Sequence, residues 1–179
     1  NASFEMIDLT KVFEKFEDLF QFPKNELALA NSRARLRMMT LYQKAQTFGG
    51  IVVGTGNKVE DFGIGFYTKY GDGGVDISPI ADLYKTEVWD LGRELGIDQR
   101  IIDAQPTDGL WEDNRVDQDQ LEGMTYPDLE WCMKNEDIPV VDLPEEKALH
   151  IEKYKTIRSR NLHKMQPIPV FIKGEAKNV

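Results

Sequence analysis

Residues 51–60 read IVVGTGNKVE, a short apolar run that passes directly into a glycine-containing loop. An all-apolar run of this length is typical of a parallel strand that is covered on both faces. Strands of this kind alternate with helical patterns along the chain, so we predict an α/β fold with a Rossmann-like parallel sheet flanked by helices. Ligands bind beyond the carboxyl ends of such strands, which places a candidate site in the loop.

The helical patterns around this stretch have recognisable starts. Thr10 is a candidate N-cap for a helix over residues 11–20, and Asn25 is a candidate N-cap for a long helix that ends near Thr47. Apolar residues recur at helical spacing in the long helix and predict a buried face, which consists of Leu27, Ala30, Ala34, Met38, Leu41 and Ala45. Arg33 and Arg37 lie on another face, where we expect solvent or a dimer interface.

Further elements are predicted before and after these helices. They are a strand over residues 4–7, a helix opened by Ser78-Pro79 with Tyr84, Val88, Leu91 and Leu95 as its core stripe and Gly96 beyond its end, and helices over 127–134 and 144–165. No repeat or interdomain linker is visible, so we treat residues 1–179 as a single domain.

The net charge of −9 is concentrated in one segment of the chain. Residues 107–146 carry thirteen acids and two bases, whereas the remainder sums to +2. The acidic balance argues against nucleic-acid binding, because little basic surface would replace the counterions of a phosphate backbone. We find no membrane-spanning run, and the single Cys132 excludes an internal disulfide framework and suits a reducing cytoplasm.

The loop after the apolar run has two readings on spacing alone. It contains neither a dinucleotide-binding GxGxxG nor a Walker A motif, so it is either a phosphate-binding loop or a flexible surface loop. Glu60 is the first acid of this loop, and a carboxylate at this edge suits Mg²⁺ in a phosphate site. The alternative is an exposed glutamate without a ligand.

Several segments together resemble ammonia-dependent NAD synthetase, a member of the adenine-nucleotide ATP pyrophosphatases. They are NSRARLRMMTLY (31–42), IVVGTGNKVED (51–61), GFYTKYGDGGVDISPIADLYKTEVWDLGRELGI (65–97), PTDGLWED (106–113) and the HK of NLHKMQP (161–167). The resemblance implies a ligase that makes NAD from nicotinic acid adenine dinucleotide, ATP and ammonia. An acyl-adenylate forms first, and ammonia then attacks it; Mg²⁺ accompanies the ATP.

The resemblance also implies a role for individual residues. Thr55, Lys85 and Thr107 match ATP contacts, with Lys85 at the phosphates as a catalytic group, and Glu60 matches the Mg²⁺ ligand. The matches to dinucleotide contacts are Lys69, Asp76, His163 and Lys164. Arg35 matches an arginine that reaches the substrate of a neighbouring subunit, which implies a homodimer.

Asp72, within KYGDGG, is a further candidate for catalysis. We hypothesise that its carboxylate binds ammonium or accepts a proton from it. The alternative is that Asp72 only braces a tight glycine turn.

The family's SGGxDS pyrophosphate loop does not occur in the sequence. We therefore expect the N-terminal strands of the sheet, on the order of 60–90 residues, to be missing from this chain, and the chain alone to be inactive. The other reading is a noncatalytic nucleotide-binding or dimerisation module derived from the family. The set of matching polar residues favours the ligase.

Overall fold

The computed structural model describes residues 3–19 and 23–173, and α-helices supply most of the regular structure. The helices are α1 (Thr10–Leu19), α2 (Glu26–Thr47), α3 (Lys85–Glu94), α4 (Gln99–Ile102), α5 (Asp117–Gln120), α6 (Tyr126–Asn135) and α7 (Glu145–Met165). A π-helical turn over Val59–Ile64 and a 3₁₀ turn over Val140–Asp142 complete the described elements. None of these helices has the length and apolar character needed to cross a membrane.

The predicted start of α2 is confirmed. The Asn25 side chain accepts a hydrogen bond from the backbone N–H of Ala28 at 2.9 Å, which satisfies one of the free donors of the first turn. Helix α1 begins one residue earlier than expected, with Thr10 inside it and the Asp8 carboxylate accepting the Thr10 N–H at 2.9 Å. The end of the predicted 11–20 helix at Phe20 lies outside the described residues.

The hydrophobic core lies between the π-helical turn, α6 and α7. Its buried members are Val59, Ile64, Leu121, Met124, Tyr126, Leu129, Cys132, Ile151, Tyr154 and Ile157. Helix α7 packs against both the turn and α6, so the turn is held between two helices. The core therefore fixes the segment that carries Glu60.

The predicted apolar stripe of α2 is only partly buried. Ala30 and Ala34 are 2% and 3% exposed, whereas Leu27 and Leu41 are 59% and 54% exposed. Spacing sets which residues share a face, but it does not set how far along the helix that face meets a partner. The prediction of a continuous buried stripe is therefore wrong outside the centre of α2.

Two predicted elements differ from the structure. Residues 4–7 are not a strand, and Phe4 and Met6 are 85% and 80% exposed. Helix α3 starts at Lys85 rather than at Ser78-Pro79, because residues 79–83 form turns and Tyr84 is the N-cap. Gly96, with φ of 69°, ends that helix as expected.

Regular β-structure is sparse among the described residues. Their only β pairing is an isolated parallel bridge between Val53 and Ile77. Val52 is buried, but Ile51 and Val53 are 60% and 53% exposed, so the run is not covered on both faces here. The bridge has the expected parallel sense, and the larger sheet stays a prediction.

Candidate functional site

The π-helical turn positions the Glu60 carboxylate. Asn57 is 1% exposed, and its side-chain oxygen accepts the backbone N–H groups of Val59 and Glu60 at 3.0 and 3.2 Å. At the other end, the Arg158 guanidinium donates to the carbonyl oxygen of Phe62. Turns of this type occur frequently at functional sites, because they aim side chains differently from an α-helix.

Glu60 forms an ion pair with Lys85, the first residue of α3. Lys85 Nζ lies 3.0 Å from Glu60 Oε1, and the two side chains are only 19% and 15% exposed. The ammonium also lies 4.7 Å from the centroid of the Tyr126 ring, within the range of a cation–π contact. The residues that match the metal ligand and the phosphate-contacting lysine are thus brought together.

A buried glutamate anchors the helix that carries Lys85. Glu130 accepts the backbone N–H of Thr86 at 3.0 Å and the Thr86 hydroxyl at 2.8 Å. A carboxylate at the N-terminus of a helix satisfies free N–H groups and complements the helix dipole. The first turn of α3, and with it Lys85, is therefore fixed to α6.

The sequence did not point to Tyr126 and Asp117, which complete this cluster. The Tyr126 hydroxyl lies 2.7 Å from Glu60 Oε1 and 2.7 Å from Asp117 Oδ2. Burial, together with the two carboxylates, raises the pKa of Tyr126, so its hydroxyl keeps its proton at neutral pH. Burial also raises the pKa of Asp117. The buried contact joins residues distant in sequence, and no local spacing signals it.

Three of the predicted dinucleotide contacts lie at the junction of α7 with residues 65–69. Lys164 Nζ donates to the carbonyl oxygens of Gly65 and Tyr67 at 2.9 and 2.7 Å, and burial lowers the pKa of Lys164. Lys69 Nζ donates to the carbonyl oxygen of His163 at 2.9 Å. Backbone carbonyl oxygens at this junction thus hold both ammonium groups.

Arg35 lies beside this group on α2. Its Nε donates to the carbonyl oxygen of Lys69 at 3.3 Å, and Arg35 is an exposed residue. The contact connects the predicted intersubunit arginine to the dinucleotide group within one chain. A role across subunits stays a prediction.

Asp72 lines a cavity of about 350 Å³ together with Lys164 and Tyr67. Its Oδ1 accepts the backbone N–H of Thr68 at 2.9 Å, which is the bracing contact expected of a turn aspartate. Surrounding protein atoms raise the pKa of Asp72, because they hinder solvation of the carboxylate. The bracing role is observed; the catalytic role stays a prediction compatible with its place in the cavity.

The remaining predicted residues have no direct contact with Glu60 or Lys85 among the hydrogen bonds of the described residues. Asp76 accepts hydrogen bonds from the backbone N–H of Val52 at 2.7 Å and from the Tyr42 hydroxyl at 3.1 Å. Both of its carboxylate oxygens therefore bind neighbouring parts of the chain. Thr55 lines a second cavity, of about 300 Å³, which Asp72 also lines. The Thr107 hydroxyl donates to the carbonyl oxygen of Arg115 at 3.2 Å within the acidic segment.

Arg33 and Arg37 hold the acidic segment against α2. Arg33 Nη1 donates to the carbonyl oxygen of Leu110 at 2.9 Å, and Arg37 Nη2 donates to that of Gly109 at 2.9 Å. Arg33 also pairs with Glu112 at 3.2 Å. Arg37 is exposed, as expected, and Arg33 is partly buried by these contacts. A role at a dimer interface stays a prediction.

The residues around Glu60 fit a magnesium ion that is shared with a nucleotide. Among the described residues, no group of three or more His, Cys, Asp or Glu side chains could hold a metal alone. Mg²⁺ commonly takes only one or two carboxylates and fills its other positions with phosphate oxygens and water. Glu60 supplies one such carboxylate beside a lysine, a donor set that suits a metal–phosphate site.

Comparison with known proteins gives consistent matches. A family model described as NAD synthase matches residues 1–167. The "NH(3)-dependent NAD(+) synthetase" of Thermococcus kodakarensis is 36% identical over 173 residues, which cover 93% of this chain and 66% of that protein. A solved structure of NMN synthetase from Francisella tularensis superposes with a TM-score of 0.78 at 33% identity, over 92% of this chain and 64% of the other.

A second solved structure shows the same fold at lower identity. It is an NH3-dependent NAD synthetase from Campylobacter jejuni, with a TM-score of 0.68 and 22% identity over 93% of this chain. The chain spans 64% of that structure and between 42% and 67% of the first five curated relatives that it matches.

Proposed function

This chain belongs to the NAD synthase family, and on that premise we propose that it contributes the metal and nucleotide contacts of a ligase. The ligase forms NAD from nicotinic acid adenine dinucleotide, ATP and ammonia. The Glu60–Lys85 pair carries this proposal, because a largely buried carboxylate and ammonium 3.0 Å apart suit a metal–triphosphate complex.

The proposed chemistry has two steps. A carboxylate oxygen of the nicotinate attacks the α-phosphorus of ATP, the bond from that phosphorus to the β-phosphate oxygen breaks, and pyrophosphate leaves. The nitrogen of ammonia then attacks the carbonyl carbon of the acyl-adenylate, the bond from this carbon to the phosphate oxygen breaks, and AMP leaves. The attacking nitrogen loses a proton to give the neutral amide.

The chain's own residues provide binding and charge in these steps. Glu60 would hold Mg²⁺, which when bound neutralises charge on the departing pyrophosphate. Lys85 would contact the same phosphates, and Thr55 and Thr107 would contact the nucleotide. Asp72, which lines both cavities, would bind ammonium or take its proton.

The dinucleotide would lie toward the end of α7. Lys69 contacts the backbone of His163 there, and the ammonium groups of Lys69 and Lys164 suit the anionic pyrophosphate of the substrate. The His163 side chain would add a further contact to the dinucleotide. Asp76 would add a polar contact from the segment next to Val52.

We further propose a homodimer in which Arg35 reaches the partner's substrate. Helix α2 carries exposed apolar side chains suited to an interface, with Leu27, Met39 and Leu41 all more than half exposed. The parallel bridge between Val53 and Ile77 would belong to a larger parallel sheet of adenine nucleotide alpha hydrolase type.

NMN is a second candidate product. The structural neighbour with a TM-score of 0.78 and 33% identity is described as an NMN synthetase. The same amidation would then act on the nicotinate mononucleotide. The mononucleotide lacks the AMP half that the dinucleotide carries through its pyrophosphate linkage, so the substrate preference separates the two products.

The direct test is product formation by the complete product of the gene that encodes this chain. The assay supplies ATP, Mg²⁺, ammonium and either deamidated substrate, and it measures amide product together with pyrophosphate and AMP. We expect stoichiometric AMP and NAD, with the dinucleotide preferred over the mononucleotide. The 179-residue chain tested alone is expected to be inactive, and turnover by it would contradict that expectation. Nucleotide binding without any amide product would favour the noncatalytic module.

A further inference from the structure

The Tyr126 hydroxyl is shared by two carboxylates from different parts of the chain. It lies 2.7 Å from Glu60 Oε1, in the π-helical turn, and 2.7 Å from Asp117 Oδ2, at the start of α5. Tyr126 is 5% exposed and Asp117 is 6% exposed, so water does not substitute freely for either contact. Such buried polar groups are costly to hold unless they are paired.

The Glu60 carboxylate is thereby held from several sides. Lys85 and Tyr126 both contact Oε1, at 3.0 and 2.7 Å, whereas Oε2 accepts a longer hydrogen bond, from the backbone N–H of Asn57 at 3.4 Å. Hydrogen bonds from a phenol to a carboxylate are short and directional. The geometry leaves Oε2 as the more weakly engaged oxygen and restricts rotation of the whole group.

Asp117 connects this arrangement to the acidic segment. Its backbone N–H donates to the carbonyl oxygen of Pro106 at 3.0 Å, and Pro106 directly precedes Thr107. Its other carboxylate oxygen, Oδ1, is buried without a hydrogen-bond partner among the described residues.

We propose that Tyr126 and Asp117 are positioning residues that orient the Glu60 carboxylate and tie it to the segment carrying Thr107. This inference rests on the proposed function, because it assigns the orientation of the proposed magnesium ligand. In this role Tyr126 acts on Glu60 through its hydroxyl, and Asp117 acts through Tyr126. Groups that orient a metal ligand in this way affect metal affinity nearly as strongly as some ligands do.

The test compares hydroxyl deletions at two buried tyrosines in the complete gene product. Tyr126→Phe removes the contact to Glu60 and keeps the ring beneath Lys85. Tyr154→Phe is the matched control, since Tyr154 is 1% exposed in the same core and its hydroxyl bonds Glu136 instead. Asp117→Asn is the second variant and decides the outcome if Tyr126→Phe does not fold.

The measured quantity is Mn²⁺ affinity in the presence of ATP and the absence of the dinucleotide, followed through the electron paramagnetic resonance signal of free Mn²⁺. Tyr126→Phe and Asp117→Asn should weaken Mn²⁺ binding by about 10- to 100-fold. In the same variants, the KM for the dinucleotide should stay within about twofold of the unmodified protein. Tyr154→Phe should leave both quantities unchanged.

Equal Mn²⁺ affinities in Tyr126→Phe, Asp117→Asn and Tyr154→Phe would overturn the positioning role while leaving the proposed function intact. If the unmodified protein binds no Mn²⁺ with ATP and forms no amide product, the proposed function fails and this inference fails with it. A rise in the dinucleotide KM equal to the loss of Mn²⁺ affinity would also overturn the inference, because it would indicate general distortion.

Discussion

Replacement of Asp61 by asparagine should stabilise the protein at neutral pH. Asp61 lies in the π-helical turn next to Glu60, and its carboxylate packs against the backbone of Gly56. Burial is the main cause that raises its pKa from 3.8 to about 6, and the charges of Glu60 and Asp72 add to this effect. Asparagine keeps the shape of the side chain and removes the charge.

The sign and size of the effect follow from proton linkage. An acid whose pKa is higher in the folded protein binds its proton more tightly there, so the folded state loses stability as pH rises from about 4 to about 6. One pKa unit corresponds to about 1.4 kcal/mol, so the ionised Asp61 costs at most about 3 kcal/mol above pH 6. We expect Asp61→Asn to recover about 1–3 kcal/mol of unfolding free energy at pH 7.

Urea unfolding at a series of pH values measures this difference, in buffer with EDTA so that no divalent metal alters the charge balance. The gain in unfolding free energy of Asp61→Asn over the unmodified protein should be near zero at pH 4 and should reach its plateau above pH 6. Asp82→Asn is the control, because Asp82 is an exposed carboxylate whose pKa is lowered by Lys58, and its loss should bring no gain. A difference between Asp61→Asn and the unmodified protein that does not change with pH would refute the reasoning.

Three further substitutions test separate parts of the account. Asn25→Ala removes the side-chain acceptor of the Ala28 N–H and should lower the unfolding free energy by about 1 kcal/mol in urea titrations; no loss would contradict the cap. Gly65→Ala places a Cβ at a φ of 63°, 2.8 Å from the Asn161 Cβ, and should cost about 1–3 kcal/mol or more, visible as a lower thermal midpoint. Asp72→Asn should reduce NAD formation most strongly at low ammonium, and full activity at both low and saturating ammonium would leave Asp72 with its bracing role alone.

Local signals in the sequence predicted the caps of helices more successfully than they predicted which side chains are buried. Asn25 at the start of α2 and Gly96 after α3 act as expected, because capping depends on atoms within a few residues. The exposure of Leu27 and Leu41 was not predictable in the same way, since burial depends on which distant element reaches each part of the helix. The same reason explains why residues 4–7 are not a strand: in the described part of the chain no other strand pairs with them.

The candidate site shows a similar division. Resemblance to a family identified Glu60 and Lys85 separately, and the structure places them in contact. Tyr126 and Asp117 were not predicted, because no local sequence pattern indicates that the Tyr126 hydroxyl contacts the carboxylates of Glu60 and Asp117. The acid excess at 107–146 gave one partial signal, since Asp117 and Glu130 are buried in a segment whose other acids suit solvent.

A magnesium titration of ATP-dependent NAD formation by the Glu60→Ala variant of the complete gene product tests whether Glu60 holds Mg²⁺. The Mg²⁺ concentration for half-maximal rate should rise by at least the roughly 10- to 100-fold typical of losing a group that only orients a ligand. The KM for the dinucleotide should change little. An unchanged Mg²⁺ requirement in Glu60→Ala would contradict the assignment of the Glu60–Lys85 pair as the metal and phosphate end of the site.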